Sequence, residues 1–311
     1  MATTITLQGS MNYVQAYGGF RPLNIGTSNE PAITAANTVH QAILGAPFVW
    51  NWNRSSVSFM TSVGVQDYST SVPSFGWIEK ASYVLAATIT NTALTSNVAT
   101  YTAANTFVAG ATVTVTGTTN GAGTFNVTNQ PIVSATSTQF TVAITHANIG
   151  SAADSGTAVA GSVFEVSNIV NVLGAGNESG TPAFIAPQTD DNAGNISFRV
   201  LPLPDQTYQA TVIFQKRIPA LLSSPSSTWA PIPDHYSYIY QNGFAALMLA
   251  YMNDTRWTIF NQKFVAGLLG AAEGLTEDQK NVFSRTWYNS IVEQQFTGLR
   301  TQQGVQGLGQ Q

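Results

Sequence analysis

Apolar positions recur along the chain with two different periods, and the period changes twice. At the start the spacing is three and four. Leu7, Met11, Val14 and Tyr17 fall on one face of a helix predicted over Thr6–Tyr17, with Gly18-Gly19 to end it. Ser28 or Asn29 can cap a second helix with Pro31 in its first turn, lined by Ile33, Val39, Ile43 and Leu44 and closed at Gly45. An aromatic hinge, Pro47 to Arg54, leads into period-two segments. Ser55–Thr61, Gly64–Ser69 and Phe75–Val84 read as strands, and Ser162–Val172 resumes the sheet. Residues 174–194 read as a long loop. Ile196–Leu201 and Tyr208–Gln215 are expected to pair as a hairpin about Pro202–Gln206.

Helical spacing then returns. Trp229, Pro231 and Pro233 make a stiff extended segment, because proline fixes φ and removes a backbone donor. Asp234 is placed to cap a helix that begins at His235 and carries Tyr236, Ile239, Tyr240, Phe244, Leu247, Met248 and Tyr251. Asp254 can cap the next, with Trp257, Phe260, Phe264 and Leu268, ending near Gly270. Thr276 and Gln279 form a capping-box pattern before a helix bearing Phe283, Trp287, Tyr288, Ile291 and Phe296, with Gly298 as its stop. The Gln/Gly-rich stretch 300–311 has too few apolar groups to order itself.

Composition changes the picture between 86 and 161. Asp154 is the one charged residue there, and the rest is dominated by Thr, Ala, Val, Asn, Ser and Gly. Ala111–Thr116, Thr124–Thr128 and Gln139–Ile144 alternate, with turns at Thr119–Gly123 and Asn129–Pro131, which predicts a small β-sandwich. The predicted fold class is therefore α+β: N- and C-terminal helices around an antiparallel β core, 1–85 with 162–299. An all-β immunoglobulin-like sandwich, 86–161, is spliced into a host hairpin, and a flexible tail follows at 300–311.

Charged residues are only 8% of the 311, against about 25% in an average soluble chain, so either much of the surface is expected to lie under other subunits or part of the chain is a β module with a hydroxyl-rich face. The net charge of −4 gives no basic field for reading nucleic acid. The absence of cysteine removes disulfides and thiolate chemistry. The start of the chain lacks the basic and apolar regions of a secretory leader, which predicts synthesis in a cytoplasm, and no apolar run is long enough to span a membrane.

His40, His146 and His235 lie in three separate regions without the partners of a triad. Gly174–Gly180 misses both nucleotide-loop spacings, and Asp190 to Asn195 lacks the length and closing glutamate of a calcium loop. With no paired acids either, the chain is expected not to be an enzyme and to need no cofactor or metal. The dense aromatic set of the C-terminal half is mainly core. Tyr238 falls off its stripe and points to an interface.

Arg217-Ile-Pro-Ala-Leu-Leu, then Ser226 to Asp234 (SSTWAPIPD), then Tyr236-Ser-Tyr-Ile-Tyr and an apolar helix resemble the head-to-tail adaptor (connector) proteins of tailed bacteriophages. The likeness extends more loosely over 1–85 and 162–300, and 86–161 resembles the immunoglobulin-like inserts of phage structural proteins. The resemblance implies a homo-oligomeric ring, typically of twelve copies, at the portal vertex of a virion. Such a ring docks on the portal protein, holds tail nozzle or tail-tube proteins and lets genomic DNA pass without sequence readout. It also implies that the C-terminal segment, Phe296 to Gln311, reaches the portal, with Trp287, Tyr288, Phe296, Leu299, Arg300, Val305 and Leu308 as candidate contacts. The alternatives are another tail or capsid component, such as a tail-tube or decoration protein, and a polysaccharide-active enzyme carrying a binding sandwich.

Overall fold

The computed structural model describes residues 3–18, 31–168, 178–191, 194–217 and 222–306, of which 17, 18, 167, 168 and 293–306 are described by backbone alone. The chain is a mixed α+β protein that divides into two compact units, 1–54 with 216–311, and 55–215.

The first unit holds five helices among the described residues: α1 (Leu7–Gly18), α2 (Ala32–Leu44), α3 (Ser237–Tyr251), α4 (Trp257–Ala271) and α5 (Glu277–Gln306). They share one apolar core. The predicted stripes supply it: Leu7, Met11 and Val14 from α1, Val39, Ile43 and Leu44 from α2, Ile239, Tyr240 and Phe244 from α3, Phe264 and Leu268 from α4, Trp287 and Ile291 from α5. Tyr17 and the proposed caps Ser28 and Asn29 lie outside what is described for side chains. The capping box forms as expected. The Thr276 amide donates to Gln279 Oε1 at 2.9 Å, and the Gln279 amide donates to Thr276 Oγ1 at 3.2 Å. Gly298 does not stop α5, which continues to Gln306, over positions expected to be flexible. Each of its two glycines there, Gly298 and Gly304, costs a helix only about 1 kcal/mol, and the Thr, Gln and Arg around them are tolerated in helices.

The second unit holds β1 (Arg54–Met60), β2 (Asp67–Ser71), β3 (Phe75–Thr95), β4 (Val98–Thr102), β5 (Thr112–Thr116), β6 (Val127–Ala135), β7 (Gln139–Ala143), β8 (Ile149–Asn168), β9 (Ser179–Gly180), β10 (Phe184–Asp190), β11 (Asn195–Leu201), β12 (Leu203–Pro204) and β13 (Tyr208–Lys216). Strands β3 and β8 run 21 and 20 residues and pair antiparallel from Leu94↔Ile149 to Ala81↔Val166. At one end they complete a closed six-strand barrel, β3-β4-β7-β6-β5-β8, around Tyr101, Phe125, Phe140 and Phe107. At the other end β3 joins β13 and β1, while β8 joins β10, β11 and β2. Phe75, Ile78, Val212 and Phe214 from the first group meet Ile185, Ile196 and Phe198 from the second in a separate core. The expected module boundaries at 85/86 and 161/162 fall inside these two long strands.

Several local expectations are corrected. Ile196–Leu201 and Tyr208–Gln215 do not form a hairpin: β11 pairs with β10 and β2, and β13 lies between β1 and β3. The connection between them is no tight turn, because Leu203–Pro204 pairs in parallel with Ser179–Gly180. The expected loop 174–194 contains β9 and β10. Of the strand expected at Thr124–Thr128 only Val127 and Thr128 are extended, as the start of β6, and Asn129–Pro131 continues that strand and is not a turn. Asn129, at φ 51°, forms a bulge within β6, where Thr128 and Asn129 together face Thr114 of β5. Ser55–Thr61 and Gly64–Ser69 give β1 and β2, which belong to different sides of the sheet.

Candidate interaction surfaces

The segment 222–234 is held by side chains and backbone from both N-terminal helices. Asn37 of α2 brackets Leu222, donating from Nδ2 to its carbonyl at 3.0 Å and accepting its amide at 2.8 Å. The first amides of α1, at Leu7 and Gln8, donate to the carbonyls of Ser227 and Pro225, both at 2.9 Å. Those are the orphan donors of a helix start, so the serine loop satisfies α1 in place of water. Trp229 is fully buried. Its ring stacks on Tyr240 at 4.7 Å, with His40 and Phe244 edge-on to it.

Asp234 does not cap its own helix, whose first turn, Asp234–Tyr236, is 3-10. Its carboxylate accepts the Thr4 amide at 3.0 Å, the Thr4 hydroxyl at 2.7 Å and the Ile5 amide at 3.3 Å. The Thr4 hydrogen bonds hold the carboxyl below its usual range. Asp254 likewise binds Arg256, through its amide at 2.9 Å and its guanidinium at 2.6 Å, just before α4.

Beside the Trp-Pro segment lies a cleft of about 650 Å³, lined by Thr3, Asn51, Trp52, Ala230, Pro231, Pro233 and His235. Trp52 stacks on Trp50 at 5.5 Å and packs near Tyr236. The lining offers apolar contact and one exposed imidazole, and none of the residues named in it is acidic.

The candidate portal contacts separate. Trp287 is buried against Phe264 and Phe283 and donates from its indole to Asn261 Oδ1 at 2.8 Å. It is a core residue and cannot present a docking face. Tyr288 is half exposed, 6.0 Å from the Trp257 ring. Tyr238, Tyr251 and Ile259 are also at least half exposed in this unit. The side chains of Phe296, Leu299, Arg300 and Val305, and all of Leu308, lie outside the described residues.

The chemical candidates find local roles. His40 is buried, with Nε2 donating to Ala230 O at 3.0 Å, and burial lowers its pKa to about 4. His146 is exposed, and its Nδ1 donates to the neighbouring Ala147 carbonyl. Asp191 accepts both the amide and the side-chain nitrogen of Asn195, at 3.0 and 2.6 Å, closing the β10–β11 turn. Gly174 to Asn177 lie outside the described residues. Among the described residues no three His, Asp or Glu side chains gather as a metal site would require, and no helix is long and apolar enough to cross a membrane.

Sequence reading missed Asp154, the lone charge of the barrel. A bulge in β8 opposite Ile89–Asn91 turns it toward five donors: the Thr119 and Ser155 amides on Oδ1 at 2.8 and 2.9 Å, the Thr119 hydroxyl at 3.1 Å, and the Thr92 hydroxyl and Asn120 amide on Oδ2 at 2.9 and 3.3 Å. Desolvation alone would raise its pKa, but the combined hydrogen bonds outweigh that and lower it. Its isolation in a chargeless stretch was the available signal. No protein family and no curated protein matches the chain.

Proposed function

We propose that this chain is a structural virion protein, a head-to-tail adaptor that assembles as a homo-oligomeric ring, docks on a portal protein, carries tail proteins and surrounds the path of the genome. The observation that carries the reading is the construction of the helical unit. Both ends of the chain build one core around the Trp229–Asp234 segment, the same residues that bear the family resemblance, and the whole β unit is inserted between them. The near absence of charge supports burial of its surface by neighbours. Exposed Tyr238, Tyr251, Ile259 and Tyr288 supply the aromatic and aliphatic contacts typical of such interfaces.

The immunoglobulin-like reading of the barrel belongs to the same proposal. It is supported by the short strands β4, β5, β6 and β7, which β3 and β8 close around an independent aromatic core, and the barrel is then the part that decorates the particle or meets a further tail component. Quantifying the chain against the portal in purified particles tests the proposal. One ring's worth of copies per particle is expected, whereas a stoichiometry matching the capsid face or a repeating tail tube overturns it.

A further inference from the structure

The outer edge of β8 is open over six residues. Strand β5 pairs with β8 through Ala160, and β10 pairs with it from Ser167. Between them β3 holds the other side at Phe164, Glu165 and Val166, and among the described residues no strand covers the outer one. Gly161 to Glu165 are all exposed, with Val163 at 63% and Phe164 at 43%. Phe164 shares a face with its partner Tyr83, which is fully buried, so an apolar row that is core further in lies uncovered at this edge. Unpaired backbone groups on a strand edge are a template for another extended chain.

We propose that the Gly161–Val166 edge of β8 docks a short extended segment of a partner protein by strand addition, with apolar side chains on the Phe164 face and basic side chains on the Glu165 face. Backbone pairing supplies the affinity and the alternation supplies the selectivity. The charge follows from composition. Residues 55–215 contain eight acidic and two basic residues, and Glu165 has no cation within ion-pair distance among the described residues.

The length is set by the flanks, since six residues span at most about 20 Å before β5 or β10 blocks the way. The same flanks exclude antiparallel pairing of two β8 edges, because the second copy's own strand would continue into β5. Gly161, at φ 87° and with open space where a Cβ would stand, begins a bulge in which residues 161–163 face Val84 alone, so the regular alternation of the edge lies at Phe164–Val166. That bulge stops the edge from growing into an open-ended sheet. The surface lies wholly in the β unit and does not depend on ring assembly.

The probe is a hexapeptide of alternating lysine and valine, blocked at both ends and titrated into the full-length chain under amide hydrogen exchange. Saturable binding with slowed exchange confined to 161–166 is expected. Methylating the amides along one edge of the peptide should weaken binding at least tenfold, methylating the other edge should not, and Glu165→Gln should weaken it several-fold. Absence of protection at 161–166, or equal binding by both methylated peptides, overturns the proposal. Protection of the same amides without peptide, accompanied by self-association in sedimentation, also overturns it in favour of a second copy.

Discussion

The Trp229 indole donates to Ser10 Oγ at 2.8 Å, a bond between fully buried groups 219 positions apart. It joins α1 to the segment that precedes α3, in the middle of the core that both chain ends share. Trp229→Ala should destabilise the helical unit by about 3–5 kcal/mol through the cavity it leaves. Ser10→Ala should cost about 1–3 kcal/mol, because the indole N–H is then buried without a partner. Denaturant titration followed by circular dichroism checks both, and a Ser10→Ala effect near zero would mean that water replaces the hydroxyl.

Gly243 and Gly270 lie in neighbouring helices with opposite surroundings. A Cβ on Gly243 would stand 2.7 and 2.9 Å from Phe264 ring carbons and 3.0 Å from a Val39 methyl, whereas at Gly270 it would meet nothing within 4 Å. Alanine improves helix propensity by about 1 kcal/mol at either site. Gly270→Ala is therefore expected to stabilise by up to that amount. Gly243→Ala is expected to destabilise by about 1–2 kcal/mol, since overpacking the α2–α3–α4 contact outweighs the gain. Thermal midpoints of the two variants should move in opposite directions.

Asp154 ties Thr92 of β3 and the 119–120 turn to β8. Asp154→Asn should lower stability at neutral pH by about 1–2 kcal/mol, a figure reduced for the residue's contact with solvent. The folded pKa is depressed, so the carboxylate's contribution is present above its ordinary pKa and is lost as pH falls through the folded one. Unfolding at pH 7 and at about pH 3 should show the gap between wild type and variant closing on acidification.

For His40 the acid response has a different window. Its folded pKa of about 4 lies below the ordinary 6.5, so the unfolded chain binds a proton that the folded chain refuses. Stability should fall as pH drops from about 6.5 toward 4, by at most about 3 kcal/mol. His40→Gln should flatten that part of the pH–stability curve, and an unchanged slope would assign it to other groups.

Deleting 300–311 should leave the thermal midpoint within about 2 °C, since the last buried anchor of α5 among the described side chains is Ile291. Under the adaptor proposal the same deletion should weaken capture by portal-bearing heads. Undiminished capture would move the docking surface to Tyr288 or elsewhere.

The helices were readable because their signals are local. Leu7, Met11 and Val14 repeat within one element, and Thr276 and Gln279 bond across a single turn. Asp234 was misread for the complementary reason: its nearest amides in sequence belong to a helix start, yet its partners, Thr4 and Ile5, stand about 230 positions away. The sheet was harder. In β3 buried positions go on recurring past Leu85, at Ala87, Ile89, Thr92 and Leu94, with their phase shifted near the bulges, and the loss of charge at 86 marks a change of surroundings and not the end of a strand. Pairing partners such as Leu203 with Ser179 leave no trace in either segment. Of the docking candidates, Trp287 and Tyr288 are adjacent in sequence, and only helix packing reveals that one is inside and the other outside.

Because β3 and β8 each run on from the lower core into the barrel, with a bulge at 161–163 where they enter it, the barrel is not hung from a pair of loops. A sideways push at its far turns must bend a two-stranded ribbon, and the bulge at 161–163 is where that ribbon's cross-strand pairing lapses. Movement of the barrel is therefore expected to pass to the core around Phe75, Phe198 and Phe214 through that bulge and not through the slack of a linker.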